Sequence, residues 1–187
     1  VPGNWRDITP AQYTGDVTPA ILRGIFARTT GFGSIGAGDA WVVGGDVISG
    51  AFTPIVSHYD GFSWTNKGSP ITPAQFAGVH FCTAPGAPSV GLCSPNGDGS
   101  DGWMVGATGV PATPAGVALY WDGFALTSFS SGLPVLGYMN SVFLVCHSSG
   151  STGCPTSVGT GGIAFAVGRD ATFGGGIICE ISGNPKT

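Results

Sequence analysis

The chain has 187 residues, enough for one domain with a sizeable core, and carries only six Lys plus Arg and ten acids. Its net charge of −4, with the few cations unclustered, excludes a phosphate-neutralising nucleic-acid surface, and no apolar run reaches the roughly eighteen residues of a membrane helix. Thirty-four glycines and 14 prolines without a Gly-X-Y period exclude collagen, while 42% hydrophobic and 11% aromatic residues exclude a disordered chain.

A glycine-rich, aromatic-rich and charge-poor composition predicts many short strands joined by tight turns. The chain starts at Val1, as expected of a secreted chain whose leader has been removed or of a shortened one. Asn4-Trp5-Arg6-Asp7 precedes Ile8-Thr9-Pro10-Ala11-Gln12-Tyr13, and that hexapeptide recurs 63 positions later as Ile71-Thr72-Pro73-Ala74-Gln75-Phe76. Next come four apolar segments bounded by Gly, Pro, Asp or Ser, which is the signature of strands. We label them a (about 24–28, with Ile25-Phe26-Ala27), b (40–46), c (54–60) and d (62–67).

The same order then repeats. Trp41-Val42-Val43-Gly44, Trp103-Met104-Val105-Gly106 and Phe165-Ala166-Val167-Gly168 lie 62 residues apart. Strand c follows each, at Ile55–Gly61, Val117–Gly123 and Ile177–Gly183. Strand a precedes each, at Ile25-Phe26-Ala27, Val79-His80-Phe81 and Val142-Phe143-Leu144-Val145. The second hexapeptide follows a strand d, Ser63-Trp64-Thr65, so the N-terminal one implies a displaced strand d at Asn4–Asp7. After the third strand c the chain reaches Asn184-Pro185-Lys186-Thr187 with no strand d. The expected inventory is d, abcd, abcd, abc: twelve strands in one repeat domain. Residues 1–23 hold strand d and a linker, 24–76 the first unit, 77–139 the second, and 140–187 a third unit lacking strand d.

The pattern aromatic-x-Val-Gly, then a Tyr- or Trp-rich strand, then Asp-Gly-x-x-Trp resembles β-propeller repeats of the kelch-like, Asp-box and photosystem assembly-factor-like kinds. Tyr59-Asp60-Gly61-Phe62-Ser63-Trp64 carries it best; Trp121-Asp122-Gly123-Phe124-Ala125-Leu126 loses the final Trp, and Ser182-Gly183 keeps least. The resemblance implies an all-β fold of three antiparallel four-stranded propeller-like blades of about 62 residues. The last blade would be completed by the N-terminal strand of its own or a neighbouring chain, which removes an open edge. It also implies that Asp60 and Asp122 serve the c–d turns. Three units suit a closed prism of sheets, half of a six-bladed ring, or a segment of a polymer.

Of the five cysteines none has zinc or haem spacing. The longer a–b loops of units two and three each hold a pair, so Cys82 is expected to bridge Cys93 and Cys146 to bridge Cys154, which places the protein outside the cytoplasm. Cys179 shares the face of Leu119 and reads as a buried small hydrophobe. Asn96-Gly97-Asp98-Gly99-Ser100-Asp101-Gly102 resembles a calcium loop but lacks its sixth-position Gly and distal Glu. Glu180 takes the place of His58 and Tyr120, and reads as a surface position.

His58, His80 and His147 have no partner by spacing, and Arg6, Arg23, Arg28 and Arg169 form no motif of the sialidase kind. We therefore assign no catalytic, cofactor-binding or metal-ligating residue and expect no cofactor. The chain reads as a non-enzymatic, secreted structural subunit that assembles with itself at the cell surface or in the extracellular space. The alternative is a secreted binding propeller that takes glycan or protein through loops and exposed aromatics such as Tyr120 or Trp121.

Overall fold

The computed structural model describes residues 21–29, 38–60, 62–81, 102–122, 124–129, 132–144, 163–172 and 174–182. They form strands and no helix. The strands are β1 (Ile21–Thr29), β2 (Gly38–Ile48), β3 (Ala51–Tyr59), β4 (Trp64–Asn66), β5 (Ala74–Phe81), β6 (Gly102–Val110), β7 (Thr113–Trp121), β8 (Leu126–Phe129), β9 (Gly137–Leu144), β10 (Ile163–Asp170) and β11 (Gly176–Ser182). Three antiparallel sheets follow one another along the chain, in the orders β1-β2-β3-β4, β5-β6-β7-β8 and β9-β10-β11. This is the expected abcd, abcd, abc. The segment Asn4–Asp7, expected as the twelfth strand, lies outside the described residues, as do the two cysteine pairs and the loop from Asn96 to Asp101.

Register corrects the unit boundaries. Cuts at 76/77 and 139/140 fall inside β5 and β9, because strand a begins several residues before the apolar triplet that marks it. Each strand a carries an irregularity at the point where it passes the shared glycine of strand b. Leu22 pairs with Gly44, Phe76 with Gly106 and Met139 with Gly168, and the register then slips. The second hexapeptide is thus partly strand, its Ala74-Gln75-Phe76 belonging to β5. By register the counterpart of Gln75-Phe76 in the first sheet is Ile21-Leu22, opposite Gly45 and Gly44; the first hexapeptide lies outside the described residues.

Alternation gives each strand two faces, and the second sheet buries both of its own. On one side Phe76, Met104, Leu119 and Trp121 receive Trp41, Val43 and Val56 of the first sheet. On the other, Trp103, Val105, Ala118 and Tyr120 pack against Met139, Val142, Ala166 and Cys179 of the third. Val117, Leu119 and Trp121 share one face, as the alternation of strand c predicts. The sheets come close at their strands a. A Cβ on Gly24 would stand 2.7 Å from the carbonyl oxygen of Ala77, and one on Gly78 would stand 2.6 Å from Cα of Ser141. Further out, whole rings fit between the sheets: Trp41 lies 4.8 Å from Phe81 and 5.1 Å from Trp121, centroid to centroid. The three sheets therefore diverge like leaves of a fan. Among the described residues the fan does not close on itself, for the third sheet leaves its far face in solvent.

Candidate functional site

Asp60 and Asp122 do the same local work in two units. Oδ1 of Asp60 accepts hydrogen bonds from the backbone N–H groups of Phe62 (2.9 Å) and Ser63 (2.8 Å). Oδ1 of Asp122 accepts from those of Phe124 (2.8 Å) and Ala125 (2.7 Å). Both carboxylates are consumed by c–d turns and are not an acid–base pair. The bonds from Ser63 and then Phe62 hold the Asp60 carboxyl below its usual range, since they favour the charged form.

Among the described residues no three His, Cys, Asp or Glu side chains gather as a metal would require. His58 stacks on Trp41 with ring centroids 4.5 Å apart, and His80 sits between Phe26 and Phe143 at 4.9 and 4.8 Å. Both imidazoles belong to aromatic packing. His147 and Arg6 lie outside the described residues. Cys179 is buried beside Ala166, at the position Leu119 occupies in the second sheet, and burial pushes its thiol upward, away from the reactive thiolate. A cleft where strands β1, β5 and β9 begin is lined by Arg23, Gln75, Tyr138 and Asn140, but holds only about 160 Å³. Ordinary small-molecule sites run from roughly 300 to 1,000 Å³.

The aromatics expected to be exposed are not. Tyr120 and Trp121 are both buried, one against each neighbouring sheet, because the second sheet is covered on both faces. Phe62 and Phe124 stand out in solvent instead, each two residues past the aspartate of its c–d turn.

Two surfaces remain that a folded chain ordinarily avoids. The first is an edge. Strands β3 and β7 are paired on their outer side by β4 and β8, whereas β11 has no such partner among the described residues. The second is a face. On the side of the third sheet turned away from the second, Phe143 is 60% and Ile178 73% exposed, with Phe165 and Val167 also open to solvent. Glu180 stands on this face too, opposite Phe165, and is the acid in the place of His58 and Tyr120. Sequence reasoning found the edge by counting strands. It missed the face, although the signal was present: in units one and two the same positions are core. Searches against protein-family models, characterised proteins and solved structures return no match to this chain.

Proposed function

We propose that this chain is a secreted structural subunit whose propeller-like units assemble with those of other copies into an extracellular filament, tube or surface layer. The observation that carries the reading is the unequal strand count. Among the described residues two sheets have four strands and the third has three, with β11 at its edge. An unpaired strand edge is a template for another strand, and main-chain hydrogen bonds then give affinity without a specialised pocket. The Asn4–Asp7 segment, read from sequence as a strand d, is the natural occupant, donated by a neighbouring copy.

The test is to delete residues 1–13. The truncated protein should stay soluble and folded, fail to assemble under the electron microscope, and recover when a peptide of residues 1–13 is added. If it assembles like the full chain, strand donation is wrong.

A second reading, a binding module, is favoured by Phe62 and Phe124, two exposed rings at equivalent turns. Aromatic faces of this kind stack on sugars or anchor protein partners. A specific glycan-array signal from a monodisperse protein, lost in Phe62→Ala/Phe124→Ala, would establish it.

A further inference from the structure

The two internal interfaces are one interface used twice. Register makes this residue by residue. Val43 pairs across the sheet with Gly24 and Val56, Val105 with Gly78 and Ala118, and Val167 with Ser141 and Ile178. Likewise Phe26 pairs with Trp41, His80 with Trp103, and Phe143 with Phe165. These residues form what we term the leading face of each sheet. In the first sheet it is buried on the second, and in the second it is buried on the third. In the third sheet the same positions hold Phe143, Phe165, Val167 and Ile178, and they lie open.

The trailing face, which receives a leading face, shows the converse. Phe76, Val79, Met104 and Leu119 form it in the second sheet, and Met139, Val142, Ala166 and Cys179 in the third. Their counterparts in the first sheet are Leu22, Ile25, Val42 and Ser57. Val42 and Ser57 are buried, but along β1 Leu22 is exposed and Ile25 is 68% exposed. Ile55, on the same face, is buried too, so the open part of the receiving face is its β1 margin, at the opposite end of the fan from the open face of the third sheet.

We infer that the leading face of the third sheet docks on the trailing face of the first sheet of a second copy, along its strand β1. The inference rests on the self-assembling reading above and names its contact. Continuity with the internal interfaces identifies the occupant. The ring column Phe26–His80–Phe143, spaced 4.9 and 4.8 Å, ends on an exposed phenylalanine and continues onto Phe26 of the second copy. One position departs from the repeat. Ser141 stands where Gly24 and Gly78 let strands a meet without a Cβ, so the intermolecular seam is wider there than the internal ones. Such a contact uses two different patches, so it forms a ring if its rotation closes and a filament if it does not.

The experiment compares the full chain with Ile178→Asp, on the leading face, and Ile25→Asp, on the trailing face, by analytical ultracentrifugation over a wide concentration range. Both side chains are exposed, and an unchanged thermal melt checks the fold. Phe143→Ser and Leu22→Asp serve as second variants on the same faces. Each single variant should need at least tenfold more protein to assemble, and should otherwise sediment as one 18.7 kDa chain. An equimolar mixture of Ile178→Asp and Ile25→Asp should form a one-to-one pair, because each supplies the half the other lacks. If the full chain assembles and Ile178→Asp assembles equally well, the docking face is wrong while self-assembly stands. If Ile25→Asp alone forms dimers, leading faces meet each other and the head-to-tail contact is overturned. If the full chain stays monomeric throughout, both readings fall.

Discussion

Gly44, Gly106 and Gly168 recur 62 residues apart, and the structure gives the recurrence one cause. A Cβ on any of them would drive into a backbone carbonyl of the neighbouring strand a: that of Ile21, Gln75 or Tyr138. None of the three has a positive φ, so the requirement is space and not conformation. Gly106→Val, between two packed sheets, should cost more than about 2 kcal/mol, because backbone must move to admit the side chain. A melting temperature lowered by only a degree or so would show that the glycine is incidental. The turn aspartates make a milder prediction. Asp60 titrates below its ordinary 3.8, so its contribution to the turn is present above that pH and is lost as the pH falls through the lower folded value. An NMR titration should show its carboxyl protonating later than a free aspartate on acidification, and in Ser63→Pro, which lacks the principal donor, the shift should shrink. The roles of these residues were legible because they depend on local backbone. Burial of Tyr120 and Trp121 was not, since alternation shows that a strand has two faces but not how many of them are covered.

At the scale of elements, strands and their order were legible while their limits were not. Strand b was expected at 40–46 and runs over Gly38–Ile48, joined to β3 by the two-residue turn Ser49-Gly50. Gly38-Asp39 hid the extension at its start, and at its end Gly44-Gly45-Asp46 broke the apolar run before Val47-Ile48, because hairpin pairing continues there without a continuous hydrophobic pattern. Both turn residues have positive φ, 53° at Ser49 and 82° at Gly50, the geometry that matches the twist of a hairpin. Serine is a poor occupant of such a position and asparagine a good one. Ser49→Asn should therefore stabilise the protein by about 0.5 kcal/mol, read as a shifted denaturation midpoint at constant slope. A loss of stability would mean that the serine makes a contact worth more than its backbone cost. The irregularity in each strand a was invisible in the sequence, and so was its early start, several residues before the apolar triplet, which put the expected unit cuts inside β5 and β9.

For the whole molecule, spacing alone revealed three units and an uneven strand count, since a repeat of fixed length is arithmetic. How the units face one another was hidden, because that depends on which of two apolar faces is used, and every sheet here has two. Among the described residues only the second sheet packs both of its faces against other sheets. Stacked-repeat proteins ordinarily finish each end with a cap whose outer side is polar, and solubility depends on it. The third sheet ends instead in two phenylalanines, a valine and an isoleucine, with Glu180 the acid among them, on a chain in which only 9% of residues are charged. Among the described residues no polar cap covers that face. If copies stack as proposed, dilution uncovers the last leaf, so dilution, and not heating, should be the condition under which the protein is most exposed to precipitation on surfaces and to proteolysis.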